Sequence, residues 1–378
     1  MKQQEEISMK RISQENLATA IEKRAREDIE ACNIGGASIL VAQDGNVVYK
    51  QHFSNADLPG DAVSDRTLFR LASMTKPITA VAAMILVDRG LLSPEDTVDK
   101  FYGKFSSMKL WGSDTEIPTK ITVEHLLTHT SGISSRDVWS ETVKQMTAEN
   151  VADVESFVDF LADQPLAFIP GTEQAYSGIG SFSVLTGIIQ KVTDMPFPAF
   201  LEKEIFDPCN MIDTTFEPSD EQWARLITMH NKKDGKSIVG KTYDRCVIEY
   251  FPTQNPLGGG GLISSLHDYL SFASMLLCGG VFNGKRILPE TAVAEISRPR
   301  VKRNTDYWGY GVRVVADEGR PLPVGTYGWS GMYGSHFWID PGNKIIGIYM
   351  KNSRFDGGSG AKTSKNFEKD VYSCLSDE

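Results

Sequence analysis

Two hairpin signals stand at opposite ends of this 378-residue chain, and no other feature constrains its fold as much. Residues 37–53, ASILVAQDGNVVYKQHF, hold two β-rich runs around Asp44-Gly45. That dipeptide supplies the positive φ angles of a two-residue turn. Residues 335–352, SHFWIDPGNKIIGIYMKN, repeat the pattern around Asp340-Pro341-Gly342-Asn343. Between them the apolar spacing is helical, over 78–89, 122–129, 151–162, 181–192 and 267–278. Antiparallel strands at both ends of a helical middle predict one sheet completed by the two termini. The expected fold is therefore α/β, of the α+β kind, with residues 12–72 plus 281–378 forming the sheet region. Residues 73–280 form a mostly helical insertion, and a cleft between the two parts is the expected place for a site. The length itself exceeds what one compact core usually supports.

Charge and composition narrow the partners. Lys and Arg total 39 against 49 Asp and Glu, a formal net charge of −10, and no basic stripe interrupts it. Nucleic acid is a poor partner for such a chain. No apolar run approaches the ~18 residues that span a bilayer. The first thirty residues are polar and charged without the apolar core of a signal peptide, and 16–31 read as an amphipathic helix. Five scattered cysteines, Cys32, Cys209, Cys246, Cys278 and Cys374, show no paired spacing. Free thiols and a cytoplasmic location are the expectation.

Several familiar chemistries are missing: no GxSxG, HExxH or GxGxxG occurs. GGVFNGKR approaches a phosphate loop, but Arg286 stands where Ser or Thr would hold magnesium. His125 and His129 share an i,i+4 face and could hold a metal. Leu126 and Leu127 between them supply no base, and a catalytic zinc needs three protein ligands, so a structural role at the helix end is the plainer reading. The low-complexity runs 258–261 (GGGG) and 356–365 (DGGSGAKTSK) read as loops.

Ser73 and Lys76 are different. They stand three apart at the head of an apolar helical run, with Pro77 where a helix start tolerates proline. One helical turn brings the ammonium to the hydroxyl. Burial there would lower the lysine pKa and make it a proton acceptor. Ser106–Lys109 and Ser359–Lys362 have the same spacing without that context, and an N-cap serine beside a surface lysine is the structural alternative.

Four ordered stretches decide between these: RLASMTKPITA (70–80), HLLTHTSGI (125–133), PGTEQAYSGIGSFSVLTGIIQKVTDMPF (170–197) and GWSGMYGSHFWIDP (328–341). Together, over residues 35–350, they resemble the serine β-lactamase and penicillin-binding-protein superfamily. The similarity is nearest to its class C-like branch with the family VIII carboxylesterases. The resemblance implies Ser73 as acylated nucleophile, Lys76 as its partner and Tyr176 as the base across the cleft. Gly178 stands where the family's Tyr-x-Asn has its amide. Trp329-Ser330-Gly331 occupies the Lys-Thr-Gly position, near the Trp-Gly-Gly of the esterase branch. By position, the Met332 and Ser73 N–H groups would form the oxyanion hole. Loss of the motif lysine to Trp329 implies a preference for neutral acyl substrates, and the 256–277 segment resembles the family's glycine turn. His267 and His336 are expected to be structural.

The resemblance thus implies a serine hydrolase that forms an acyl-enzyme on a small-molecule acyl substrate, an ester or an amide. It calls for no cofactor and no metal, and carboxylesterase activity fits best. A β-lactamase or D-alanyl-D-alanine carboxypeptidase is the alternative. A non-catalytic ligand-binding protein on the same scaffold is disfavoured by the joint presence of Ser73, Lys76 and Tyr176.

Overall fold

A computed structural model of the chain describes residues 10–55, 62–113, 116–234, 236–240, 255–303, 305–354, 356 and 358–376. The Asp44-Gly45 turn forms as its sequence predicts, with φ of 51° and 78° and Gln43 opposite Asn46. These angles match the right-handed twist of the flanking strands β1 (Gly36–Gln43) and β2 (Asn46–Ser54). The C-terminal part contributes β3 (Val301–Arg303), β4 (Asp306–Trp308), β5 (Arg313–Val314), β6 (Tyr327–Ser330), β7 (His336–Asp340) and β8 (Ile345–Met350). The strands lie in the order β3-β4-β5-β6-β7-β8-β1-β2, all antiparallel. Pairing of β8 with β1, from Met350 opposite Ser38 to Ile345 opposite Gln43, joins the two ends of the chain.

The second hairpin turn is held by a buried carboxylate. Asp340 accepts the Asn343 N–H at 3.1 Å, the Asn343 amide at 2.7 Å and the Tyr372 hydroxyl at 2.9 Å. Both sheet faces are covered, which explains why β1, β7 and β8 are buried along their whole length. On one face, Ile39, Val41, Trp338 and Tyr349 pack with Leu17 and Ile21 of α1 (Gln14–Glu30) and Phe367 and Val371 of α7 (Lys362–Ser373). On the other, Leu40, Phe337, Ile339 and Ile348 join the larger core of the helical part.

Within that part run α2 (Thr75–Asp88), α3 (Arg136–Gln145), α4 (Val154–Ala162), α5 (Gly180–Thr193) and α6 (Leu266–Leu277). Helix α2 is buried from Thr75 through Leu86, because from Pro77 onward its residues are apolar or small on every side. Two stretches depart from their sequence reading. Residues 136–145, which lie outside the helical spacings read from the sequence, form α3, with Val138 and Thr142 turned inward one turn apart. The 356–365 loop is shorter than expected, since α7 already begins at Lys362. Cys246 lies outside the described residues; Cys32, Cys209, Cys278 and Cys374 are free thiols. Among the described residues no helix is long and apolar enough to cross a membrane.

Candidate active site

Ser73 lies in a single 3-10 turn, Ala72–Met74, directly before α2. Ala72 takes a φ of 45°, a left-handed conformation that a residue with a Cβ adopts only under constraint. The constraint comes from three sides. The Leu71 N–H donates to Leu262 O at 2.9 Å, the Leu262 N–H to Thr75 Oγ1 at 3.2 Å, and the Tyr269 hydroxyl to Met74 O at 2.9 Å.

One turn on, Lys76 is fully buried. Its Nζ donates to Gly178 O at 2.5 Å, Gly259 O at 2.6 Å and Ser73 Oγ at 3.3 Å. Burial lowers its pKa from the ordinary amine range, while Tyr176 nearby works in the opposite direction. Two carbonyls and one hydroxyl also suit a neutral amine, which has two N–H groups and a lone pair to turn toward Ser73. Tyr176 completes the cluster: its hydroxyl donates to Ser73 Oγ at 2.7 Å. The structural alternative of an N-cap serine beside a surface lysine does not describe this geometry, since the Lys76 ammonium is inside and the Ser73 side chain caps no helix.

The HTSG stretch places Tyr176. The Ala175 N–H donates to His129 O at 3.1 Å and the Ser177 N–H to His129 Nδ1 at 3.2 Å. The His129 ring lies 4.6 Å from the Tyr176 ring and 4.7 Å from that of Trp308. Trp329 closes the box, 5.6 Å from Tyr176 and 4.5 Å from Trp308. Burial drives the His129 pKa well down, and the positive charge of Lys76 pushes the same way, so the ring is a neutral prop. His125 sits elsewhere, as the third residue of a capping box in which its Nδ1 accepts the Thr122 N–H at 3.2 Å. Both Nδ1 atoms of the histidine pair are thus taken by backbone donors.

Glycines supply what the sequence reading missed. The 258–261 run is more than a loop: Gly259 O holds Lys76, and Gly258 O accepts from Thr79 Oγ1 at 2.8 Å. A Cβ on Gly258 would come within 2.1 Å of Thr186 Oγ1. Gly178, where an amide was expected to help position the lysine, positions it instead with its own carbonyl, and a Cβ there would meet open space. Gly331 lets the end of β6 touch the turn that carries Ser73, for its Cβ would lie 2.2 Å from Leu71 O. The tight turn that follows, with Gly331 N–H on Ser335 O at 2.7 Å, sets Met332 beside Ser73 in one cavity.

Ser330 turns to a buried chain of polar groups. Its Oγ lies 2.8 Å from His336 Nδ1, His336 Nε2 lies 2.9 Å from Glu368 Oε1, and Arg313 donates to the same oxygen at 2.7 Å. Burial pushes the Glu368 carboxyl up, but His336 and Arg313 outweigh it and hold the pKa at about 2. His267 lies apart on the surface, its Nε2 3.3 Å from Asp65 Oδ1.

Two cavities meet at Tyr176. One, of about 320 Å³, contains Ser73 and Met332 and is walled by Trp139, Val143, Ile179 and Tyr333. The other, of about 490 Å³, is lined by both polar and aromatic side chains, Trp329 and Ser330 among them. Trp139 and Val143 come from α3, so the helix absent from the sequence reading forms a wall of the apolar cavity. The signal was there: Val138–Thr142 and Trp139–Val143 are two i,i+4 pairs, on adjacent faces.

Comparison with known proteins bears directly on this arrangement. The beta-lactamase family model matches residues 21–366. The chain belongs to the beta-lactamase family. Among curated relatives, Protein Rv1367c of Mycobacterium tuberculosis (strain ATCC 25618 / H37Rv) is 29% identical over 356 residues, covering 86% of this chain and 87% of its own length. Esterase EstB of Burkholderia gladioli is 27% identical over 362 residues, covering 87% and 88%. A beta-lactamase-family fold is also seen in the structure of EstCE1, a hydrolase with promiscuous acyltransferase activity, which superposes with a TM-score of 0.82. That likeness, at 24% identity, spans 95% of this chain and 99% of EstCE1.

Proposed function

We propose that this beta-lactamase-family protein is a serine hydrolase of the carboxylesterase kind, with Ser73 as nucleophile and Lys76 and Tyr176 as its proton-handling pair. The observation that carries the reading is the convergence of the Tyr176 hydroxyl, at 2.7 Å, and the Lys76 amine, at 3.3 Å, on Ser73 Oγ. A hydroxyl so held can lose its proton as it attacks. The Ser73 oxygen bonds to the ester carbonyl carbon and its proton passes into the Lys76/Tyr176 pair. The carbonyl oxygen gains negative charge, which the Ser73 and Met332 N–H groups are assigned to hold. The carbon–oxygen bond to the alcohol then breaks, and the alcohol leaves with a proton from Tyr176. Water adds to the acyl-enzyme by the same route in reverse roles, releasing the acid and returning the proton to Ser73.

The likeness to Esterase EstB supports an ester as substrate, and so does the apolar cavity beside Ser73. No nucleic acid or cofactor enters this scheme, and the free thiols agree with a cytoplasmic setting. The test is hydrolysis of p-nitrophenyl butyrate by the wild type and by Ser73→Ala, prepared identically. Turnover that disappears in the variant supports the assignment, and equal turnover in both rejects it. If neither preparation acts on the ester, the peptidase alternative replaces the esterase.

A further inference from the structure

Two lysines are fully buried among the described residues, and the proposed chemistry employs only Lys76. The other, Lys351, directly follows β8. A lysine taken so far out of water needs polar partners. Its Nζ donates to Asp356 Oδ1 at 2.7 Å and to Thr363 Oγ1 at 3.0 Å. Asp356 lies nearly as deep, its side chain 7% exposed, and its Oδ2 accepts the Thr363 N–H at 3.1 Å and the Thr363 hydroxyl at 2.6 Å. Thr363 stands in the first turn of α7, so the carboxylate also satisfies one of the N–H groups that a helix start leaves open. A buried ion pair is a poor way to gain stability, because apolar side chains fill the same space as well; what it can confer is one fixed arrangement.

Resting on the ester-hydrolase reading of Ser73, we propose that the Lys351–Asp356 pair is a positioning clamp for the oxyanion hole, holding the Met332 turn so that its N–H points at the reacting carbonyl. The clamp meets that turn at two places. The stem of Lys351 fills the space beside Gly334, where a Cβ would lie 2.0 Å from Lys351 Cε. Two residues on from Asp356, Gly358 packs against the Met332 carbonyl, and a Cβ there would lie 2.1 Å from Met332 O. Both glycines also take positive φ, 93° and 73°. Between these contacts the Ser353 N–H donates to Tyr333 O at 3.0 Å and the Gly334 N–H to Gly331 O at 2.9 Å. Residues 331–334 are thus seated against groups that the pair ties to α7. An oxyanion donor works only when aimed where the charge develops, and a misplacement of about 1 Å can cost about 10² in rate.

The test uses p-nitrophenyl butyrate and butane-1-boronic acid. The boron takes the Ser73 oxygen as a fourth ligand while the hydroxyl proton passes to the Lys76/Tyr176 pair, so the adduct copies the tetrahedral intermediate. The full chain is compared as wild type, as Lys351→Met/Asp356→Asn, which removes both charges together, and as the surface control Lys104→Met. The double variant should lower kcat about tenfold with KM within about twofold, and raise the boronic acid Ki by the same factor. The control should match the wild type. A merely structural pair would cost active molecules, lowering kcat with Ki unchanged; that result overturns the proposal, and so do unchanged kinetics. Should the double variant fail to fold, Gly358→Ala decides, because it keeps the pair and pushes a Cβ onto Met332 O. The same joint shift in kcat and Ki then supports the clamp, and wild-type values overturn it. Absence of ester turnover in the wild type would count against the hydrolase reading alone. Calorimetry with the boronic acid then decides the clamp: weaker binding to the double variant supports it, and equal binding, or none to the wild type, overturns it.

Discussion

Glu368→Gln offers a quantitative test of the buried chain beneath β6. In the folded protein His336 and Arg313 hold the Glu368 carboxyl at about 2 against an ordinary 4.5. The sign follows from linkage: the unfolded chain binds the proton more readily than the folded one. The stabilisation is therefore present above about pH 4.5 and is lost as pH falls through about 2. At about 1.4 kcal/mol for each tenfold difference in proton affinity, the contribution is about 3 kcal/mol. Little discount for solvent applies, since the Glu368 side chain is only 7% exposed. For a chain of this length that energy corresponds to roughly 4 °C in Tm. Glutamine keeps the shape but carries neither charge nor that acid limb. Thermal unfolding of wild type and Glu368→Gln, followed from pH 6 to pH 2, should show the variant less stable at pH 6 and the gap closing as the solution is acidified. A constant gap would mean that Glu368 acts by packing, and no gap at pH 6 would refute the ion-pair account.

Three further outcomes follow from the site. Tyr176→Phe removes the hydroxyl 2.7 Å from Ser73 Oγ and should lower kcat for p-nitrophenyl butyrate by about 10²–10⁴ while Tm stays within a few degrees. Because burial lowers the Lys76 pKa, and its neutral form is the proton acceptor proposed above, kcat/KM should rise with pH through an inflection below 10.5; a rate that falls over the alkaline range would contradict that role. Trp139→Ala enlarges the apolar cavity and should move the preference among p-nitrophenyl esters toward longer acyl chains, read from kcat/KM across butyrate, octanoate and decanoate.

Most of the frame was legible because its signals are local. Asp44-Gly45 and the Asp340–Asn343 turn announce their hairpins, and the two-sided burial of α2 shows in an unbroken run of apolar and small residues. That the ends pair with each other came from their similarity of pattern, without which β8 and β1 are merely distant segments. At the site, Ser73, Lys76 and Tyr176, which the fold brings together, could be named because each carries a distinctive side chain. What escaped notice works through backbone or through three-dimensional convergence. The carbonyls of Gly178 and Gly259 that hold Lys76 are present in every residue type. His129 was weighed as a metal ligand from its spacing to His125, whereas its partners, Ser177 and Trp308, lie far along the chain. The larger cavity at Tyr176 draws on β3, β5 and α7, so no single stretch of sequence contains it.

The pairing of β8 with β1 also sets when activity can first exist. A nascent chain that has emerged as far as Tyr176 holds Ser73, Lys76 and Tyr176, yet Gly331 and Met332 have still to be synthesised. The Leu71–Ser73 turn receives its contact from Gly331 only once the C-terminal strands have docked beside the N-terminal ones. Contacts of such long sequence separation form late, because the closure entropy of the whole intervening chain must first be overcome. Ester turnover would thus report completed synthesis and closure, and a newly made, half-folded molecule would show none.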